Sequence, residues 1–247
     1  MMDTDKGVFL VTGGSRGIGA AIALAAGAAG YFVLLTFAGR VDAADAVVAA
    51  IRAAGGRADA VQADTGIPAD IAQMFAAADA QGRLAAFVYN GGITGGTGLL
   101  ADQTDETLAQ VIGVNLTGAL IGCREAVKRM STRMGGQGGS IVLLSSRAAM
   151  LGSPAQHLWY AASKGGIDSL NIGLSKEVAG EGIRVNCVSP GPIDTEIHAA
   201  GRLEQIRDSL PMRREGTPKE VADTVMFLVS DAASYIAGAN IDVAGAR

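Results

Sequence analysis

Cysteine, histidine and tryptophan are scarce in this 247-residue chain, with two, two and one copies respectively. Cys123 and Cys187 lie far apart, outside any CxxC pair and away from any histidine cluster. Neither a zinc site nor a disulfide framework is therefore expected, and no bound metal of any kind; a reducing, cytoplasmic setting is the natural reading. Charged residues reach only 18% and the net charge is -4, which argues against a broad basic surface for nucleic acid. Aromatic residues are also few, at 4%. Residues 1–6 are short and polar and lead directly into an apolar run, unlike a signal peptide. One uncharged stretch, 19–37, is long enough to suggest a membrane span, but Gly27 and Gly30 interrupt it. Its composition changes after Gly30 from Ala-rich to β-branched and aromatic, as expected of a buried helix followed by a buried strand. No membrane association is expected.

What the chain has in abundance is apolar residues, 49%, and glycine, 35 copies. Short apolar runs (GVFLVTG, YFVLLTF, ADAVQAD, AAFVYNG, SIVLLSS, IRVNCVSP and NIDVAG) alternate with segments of helical spacing at 17–29, 42–54, 68–80, 102–134, 159–180 and 218–230. That alternation predicts an α/β fold: one Rossmann-like domain over 1–247, a doubly wound parallel sheet of about seven strands with helices on both faces. Ligands of such sheets lie beyond the C-terminal ends of the strands, so residues just after each strand matter most. The stretch 193–217 lacks a clear period, and a loop of that length is expected to be functional or mobile.

The first strand runs into Thr12-Gly13-Gly14-Ser15-Arg16-Gly17-Ile18-Gly19. Glycines at this turn let the backbone approach a pyrophosphate, and the following helix aims free N–H groups at the anion. Glycine spacing alone is weak in a glycine-rich chain; its place between strand and helix strengthens it. Sites that prefer NAD carry an acid at the end of the second strand, on the ribose 2′-hydroxyl. Here that end reads Thr36-Phe37-Ala38-Gly39-Arg40, and Asp42 reads as a helix N-cap. Arg16 and Arg40 would face a 2′-phosphate, so NADP(H) is the expected cofactor, with NAD(H) the lesser option.

Tyr160 and Lys164 are four residues apart on one helical face. A nearby ammonium stabilises a phenolate and draws the phenol pKa from its usual value near ~10 toward working pH. Such a pair alone means little, but Ser146 ends a strand candidate and could bond a substrate oxygen. Asn115, in the middle of a helical segment, could hold a water leading from Lys164 to solvent.

Together these residues resemble the short-chain dehydrogenase/reductase family over nearly the whole chain. The resemblance rests on TGGSRGIG at 12–19, Asp64, NGG at 90–92, Asn115, SS at 145–146, YAASK at 160–164 and PGPIDT at 190–195. It implies an oxidoreductase that interconverts a ketone or aldehyde and an alcohol by hydride transfer with a nicotinamide cofactor. Tyr160 would be the general acid in reduction and the base in oxidation. Lys164 would lower the Tyr160 pKa and bind the nicotinamide ribose, Ser146 rather than Ser145 would orient the carbonyl, and Asn115 would complete a proton relay. The cofactor would touch Gly13, Ser15, Arg16, Gly17, Ile18 and Gly19 at its phosphates and Arg40 at its 2′-phosphate. Asp64 and Thr65 would lie at the adenine and Asn90, Gly91 and Gly92 along the cleft. Pro190, Gly191, Ile193 and Thr195, with Tyr160 and Lys164, would hold its nicotinamide end. Gly91 stands where the family has Ala, which is expected to loosen that turn.

Residues 156–159, Gln-His-Leu-Trp, are expected to shape the substrate pocket, with His157 a wall residue; His198 has no motif around it. The substrate is a small carbonyl or alcohol, free or carried on a carrier protein. A 3-oxoacyl-carrier-protein reductase would need a basic patch, for which Lys128, Arg129, Arg133 and Lys176 are candidates. A sugar or polyol dehydrogenase fits almost equally, and a catalytically silent NADP-binding regulator is the reading outside enzymes. The family also implies a homotetramer through segments 102–134 and 159–180, where Ala161, Gly165, Gly166 and Gly173 would permit close approach.

Overall fold

A computed structural model describes residues 6–196, 201 and 206–247. Seven strands form one parallel sheet: β1 (Val8–Val11), β2 (Phe32–Phe37), β3 (Arg57–Gln62), β4 (Leu84–Tyr89), β5 (Gly139–Leu144), β6 (Ile183–Pro190) and β7 (Asn240–Val243). Their spatial order is β3-β2-β1-β4-β5-β6-β7, all parallel, so the winding reverses between β1 and β4. This is the doubly wound arrangement expected from the alternation of runs, and it opens its ligand crevice at that reversal.

Alternation along the strands supplies both cores. Phe9, Val11, Val33, Leu35, Val88 and Val142 face one side. There they meet α1 (Gly17–Ala28), α2 (Val41–Ala53) and α8 (Pro218–Val229). Val8, Leu10, Phe87, Tyr89, Ile141 and Cys187 face the other. They pack on α3 (Pro68–Asp79), α5 (Gly118–Met130) and α7 (Leu158–Val178). The inner strands are buried on both faces and so read as continuous apolar runs in the sequence, whereas the edge strands β3 and β7 are partly exposed. The uncharged stretch 19–37 is α1 followed by buried β2.

The segment 102–134 is not one helix. It divides into α4 (Asp105–Ile112), a π turn (Gly113–Thr117) and α5. Asp105–Met130 is apolar and long enough to cross a membrane by length and composition alone. Its Val111, Asn115, Ala119, Cys123, Ala126 and Met130, however, are buried within the fold. Two smaller expectations also need correction. Strand β5 ends at Leu144, two residues before Ser146. Helix α2 starts at Val41 with Arg40 in the cap position, so Asp42 lies in the first turn rather than capping it.

Candidate active site

The ends of the strands enclose one open cleft of about 1160 Å³. At its phosphate end the loop after β1 is pinned to the loop after β4. The Thr12 hydroxyl accepts the N–H groups of Asn90 and Gly91 (3.0 and 2.9 Å). The Asn90 amide donates back to the carbonyls of Thr12 and Gly13 (3.0 and 3.1 Å). Gly13 adopts φ +62°, and a Cβ on Gly19 would lie 2.1 Å from the Gly13 carbonyl oxygen. Helix α1 begins without a side-chain cap and without an acid in its first turn. Its N-terminal N–H groups and positive dipole end therefore remain available to an anion. Gly91 is held by Thr12, so its turn is fixed rather than loosened, and a Cβ there would sit tightly, 3.3 Å from the Thr12 hydroxyl, with its other neighbours at 3.6 Å.

Arg16 and Arg40 both line the cleft. Each carries an acidic partner that the motifs did not announce. Arg16 pairs with Glu196 at 3.0 Å, and Arg40 forks onto Asp42 through Nε and a terminal nitrogen, each at 3.1 Å. The Asp42 hydrogen bond raises the Arg40 pKa and lowers that of Asp42. All four side chains are largely exposed, so these pairs are easily exchanged for another anion. Asp64 lines the cleft while its carboxylate accepts the Gly66 N–H at 2.8 Å.

At the other end, Tyr160, Lys164 and Ser146 line the same cleft. The Ser146 side chain lies beside Tyr160 in the cleft and acts to lower its pKa. Its oxygen also accepts the Ala148 N–H at 3.1 Å. The Ser145 hydroxyl instead donates to the Lys164 carbonyl at 3.1 Å. Both serines reach the cleft, but Ser145 is buried and its hydroxyl is engaged by α7. Lys164 Nζ lies 5.7 Å from the Tyr160 ring centroid and donates to the Leu144 carbonyl at 2.6 Å. Burial pushes the Lys164 ammonium down to about 8. Burial also raises the Tyr160 phenol, with Ser146 pulling it partly back. The phenol therefore stays protonated at neutral pH, contrary to the lowered value that a close ammonium would produce. No attraction from Lys164 offsets the burial of the phenol; the Lys164 ammonium donates to Leu144 instead.

Asn115 sits in the π turn, fully buried behind the cleft rather than on its wall. Its amide donates to the Ile93 carbonyl (2.9 Å) and the Ser163 hydroxyl (3.0 Å), and its oxygen accepts the Ile93 N–H (2.9 Å). Both of its N–H groups are thus engaged in fixing the loop after β4 to α7. Tyr89, at the end of β4, donates to the Val114 carbonyl in the same turn.

The substrate end of the cleft is bounded by the loop 93–99, fastened to the start of α7. Gly98 N donates to Gln156 O (3.0 Å), His157 Nδ1 lies 3.0 Å from Gly96 O, and Trp159 Nε1 donates to Thr94 O (2.7 Å). Gln156 and His157 line the cleft, whereas Trp159 is buried behind it and Leu158 is exposed outside it. His198 lies outside the described residues.

All the sequence-selected residues except Asn115 line this one cleft: the glycine loop, Arg40, Asp64, Thr65, Asn90–Gly92, Ser146, Tyr160, Lys164, Pro190, Gly191, Ile193 and Thr195. Ile206, from the stretch 193–217, lines it too, as do Gln110, Arg147 and Arg247, which no sequence signal marked. Arg147 follows Ser146 and reaches Asp242 at 2.6 Å and the Arg247 carbonyl at 2.9 Å, tying the segment after β5 to the end of the chain. Chemically, two neighbouring hydroxyls at the floor of a cleft can share one acceptor oxygen between them. Among the described residues no cluster suited to a metal ion occurs.

Residues 13–245 match a family described as enoyl-(acyl carrier protein) reductase. The chain is 46% identical over 245 residues to the oxidoreductase YgfF of Escherichia coli, covering 97% of this chain and 99% of that one. It is 41% identical to a 3-oxoacyl-[acyl-carrier-protein] reductase of Synechocystis, covering 96% and 95%. A solved short chain dehydrogenase from Burkholderia cenocepacia, in complex with NADP, superposes with a TM-score of 0.91 at 33% identity, covering 98% of both chains.

Proposed function

Because this chain belongs to the short-chain dehydrogenase/reductase family and is an oxidoreductase of that kind, we propose that it reduces a ketone or aldehyde to an alcohol with NADPH, Tyr160 being the proton donor. The observation that carries the reading is that Ser146, Tyr160 and Lys164 share one end of a cleft whose other end is the glycine loop. The phosphate end fits a dinucleotide: no Cβ intrudes at Gly13 or Gly19, and α1 offers uncapped N–H groups. Arg16 and Arg40 would hold the 2′-phosphate, each exchanging an exposed acidic partner for it. The NADP-bound relative from Burkholderia supports that choice over NAD(H).

When bound, the nicotinamide supplies the hydride in reduction and takes it back in oxidation. The residues manage the oxygen and its proton. Ser146 and Tyr160 donate to the carbonyl oxygen, and the raised phenol pKa keeps the proton on Tyr160 until that oxygen gains negative charge. Lys164 adds positive charge beside the phenolate left behind, and would also bond the nicotinamide ribose. Asn115 keeps Ile93 and Ser163, and so the cleft edge, in place.

Among substrates, a carrier-bound 3-oxoacyl group ranks second, supported by the Synechocystis relative's name. The candidate basic patch speaks against it: Lys128 pairs with Glu125, Arg129 with Asp79 and Glu125, and Arg133 with Glu181. A silent regulator is disfavoured because Tyr160, Lys164 and Ser146 are kept in one cleft. Self-association through α5 and α7 is supported by exposed Leu120 and Ile172, and by the open surface at Gly165 and Gly173. Ala161 and Gly166 are spent within the chain, Ala161 buried and Gly166 against Leu116. A reducing, cytoplasmic setting suits the two buried free thiols. The deciding experiment offers NADPH with an acetoacetyl thioester, simple ketones and sugars, and follows NADPH absorbance. Turnover of any carbonyl supports the reading, and none with any of the panel would overturn it.

A further inference from the structure

Arg16 and Glu196 are 180 residues apart in the chain, yet their side chains meet at 3.0 Å. Arg16 stands at the N-cap of α1, in the glycine loop. Glu196 belongs to the segment that leaves β6, and both residues line the cleft. The base of that segment is fixed. Asp194 N–H donates to the Gly216 carbonyl and Gly216 N–H donates to the Pro192 carbonyl, both at 2.9 Å. Beyond this base, Thr195 and Glu196 reach the glycine loop. A Cβ on Gly17 would lie 3.2 Å from the Thr195 methyl carbon, and the Glu196 carboxylate closes on Arg16. Two walls of the cofactor cleft are thereby joined by one carboxylate on one guanidinium.

The other acidic partner in the cleft is arranged differently. Asp42 and Arg40 are two residues apart on a single wall, so parting them frees nothing on the opposite side. Glu196 alone of the two ties a phosphate-reading arginine to the segment that continues from Pro190, Gly191 and Ile193.

A carboxylate and a phosphate offer an arginine the same kind of oxygen acceptor. Two anions crowded on one guanidinium also repel each other, so a phosphate arriving at Arg16 has to displace Glu196. We propose that Glu196 is a specificity-determining residue for the cofactor: its carboxylate occupies Arg16 in place of the 2′-phosphate. Binding of NADP(H) is then an anion exchange that frees Glu196 from the glycine loop, whereas NAD(H) leaves the pair intact. This inference rests on the reading of Arg16 as a 2′-phosphate contact. The pair is exposed on both sides, so the exchange is easy and its effect is modest.

The test is calorimetric titration at low ionic strength of the wild type, Glu196→Gln, Arg16→Ala and the double variant. The probes are NADPH, NADH, adenosine 2′,5′-bisphosphate and 5′-AMP. Glu196→Gln keeps the shape of the side chain and removes its charge. It is expected to tighten NADPH and the bisphosphate by about two- to fivefold, the range of an exposed ion pair, and to leave NADH and 5′-AMP unchanged. The gain is expected to fade at high salt and to vanish in the Arg16→Ala background. Unchanged NADPH affinity in Glu196→Gln, an equal gain with NADH, or a gain that persists without Arg16 overturns the inference alone. Arg16→Ala with unchanged NADPH affinity overturns the reading of Arg16 and the inference with it.

Discussion

Lys164 donates across 2.6 Å to the main-chain carbonyl of Leu144, so the amine at the heart of the cleft is tied to the last residue of β5. It is 3% exposed, and its pKa falls to about 8. The ammonium is then largely present at pH 7 and is lost as pH rises through about 8. Reduction should slow over that interval, losing about tenfold for each pH unit above it. A pH series of kcat/KM with NADPH checks this; a flat profile to pH 10 would contradict it.

Arg40 and Arg16 stand where a 2′-phosphate would lie, and both are exposed. Replacing Arg40 with Ala removes one charge-assisted contact, which should cost about tenfold in affinity. The KM for NADPH should rise by that factor, while the KM for NADH stays within twofold. Arg16→Ala should behave alike. Steady-state kinetics with both cofactors measure the difference, and equal changes for the two would remove the arginines from phosphate recognition.

Two glycines of the cleft should respond oppositely to a methyl group. A Cβ on Gly19 meets the Gly13 carbonyl oxygen at 2.1 Å, which requires backbone movement at the phosphate loop. Gly19→Ala should therefore weaken NADPH binding by tenfold or more, as read by fluorescence titration. At Gly91 the nearest atom is 3.3 Å away, on Thr12. Gly91→Ala should leave cofactor binding within twofold of the wild type.

Asn115→Ala would strip the Ile93 N–H and carbonyl of their partner in the interior. An unsatisfied buried group costs roughly 1–3 kcal/mol, so urea unfolding should show a loss of that order. Activity should fall as well, because the loop 93–99 borders the substrate. Trp159→Phe, which loses the bond to Thr94 and part of the buried ring, should raise the KM for substrate more than it lowers kcat.

The sheet could be read from the sequence because each strand is a short apolar run between turns, and the motif residues fell into place because they sit at strand ends. Position along the chain could not show which partners side chains had taken. Arg40 claims Asp42, so a residue that looked like a cap is an ion-pair partner. Asn115 looked like a water ligand, yet its amide is spent on Ile93 and Ser163, 22 and 48 residues away. The π turn was also hidden, since its extra residue leaves the apolar spacing of 102–134 almost unbroken. Arg147 carried no motif, and its partner on β7 comes 95 residues later.

The most direct test of the proton-donor role is Tyr160→Phe, which removes one oxygen atom and keeps the ring. Single-turnover reduction of a substrate by enzyme-bound NADPH should slow by about a thousandfold, within the range of lost general-acid catalysis. NADPH affinity should stay within about threefold. A folded Tyr160→Phe enzyme that keeps a tenth or more of the wild-type rate would contradict the assignment of Tyr160 as proton donor.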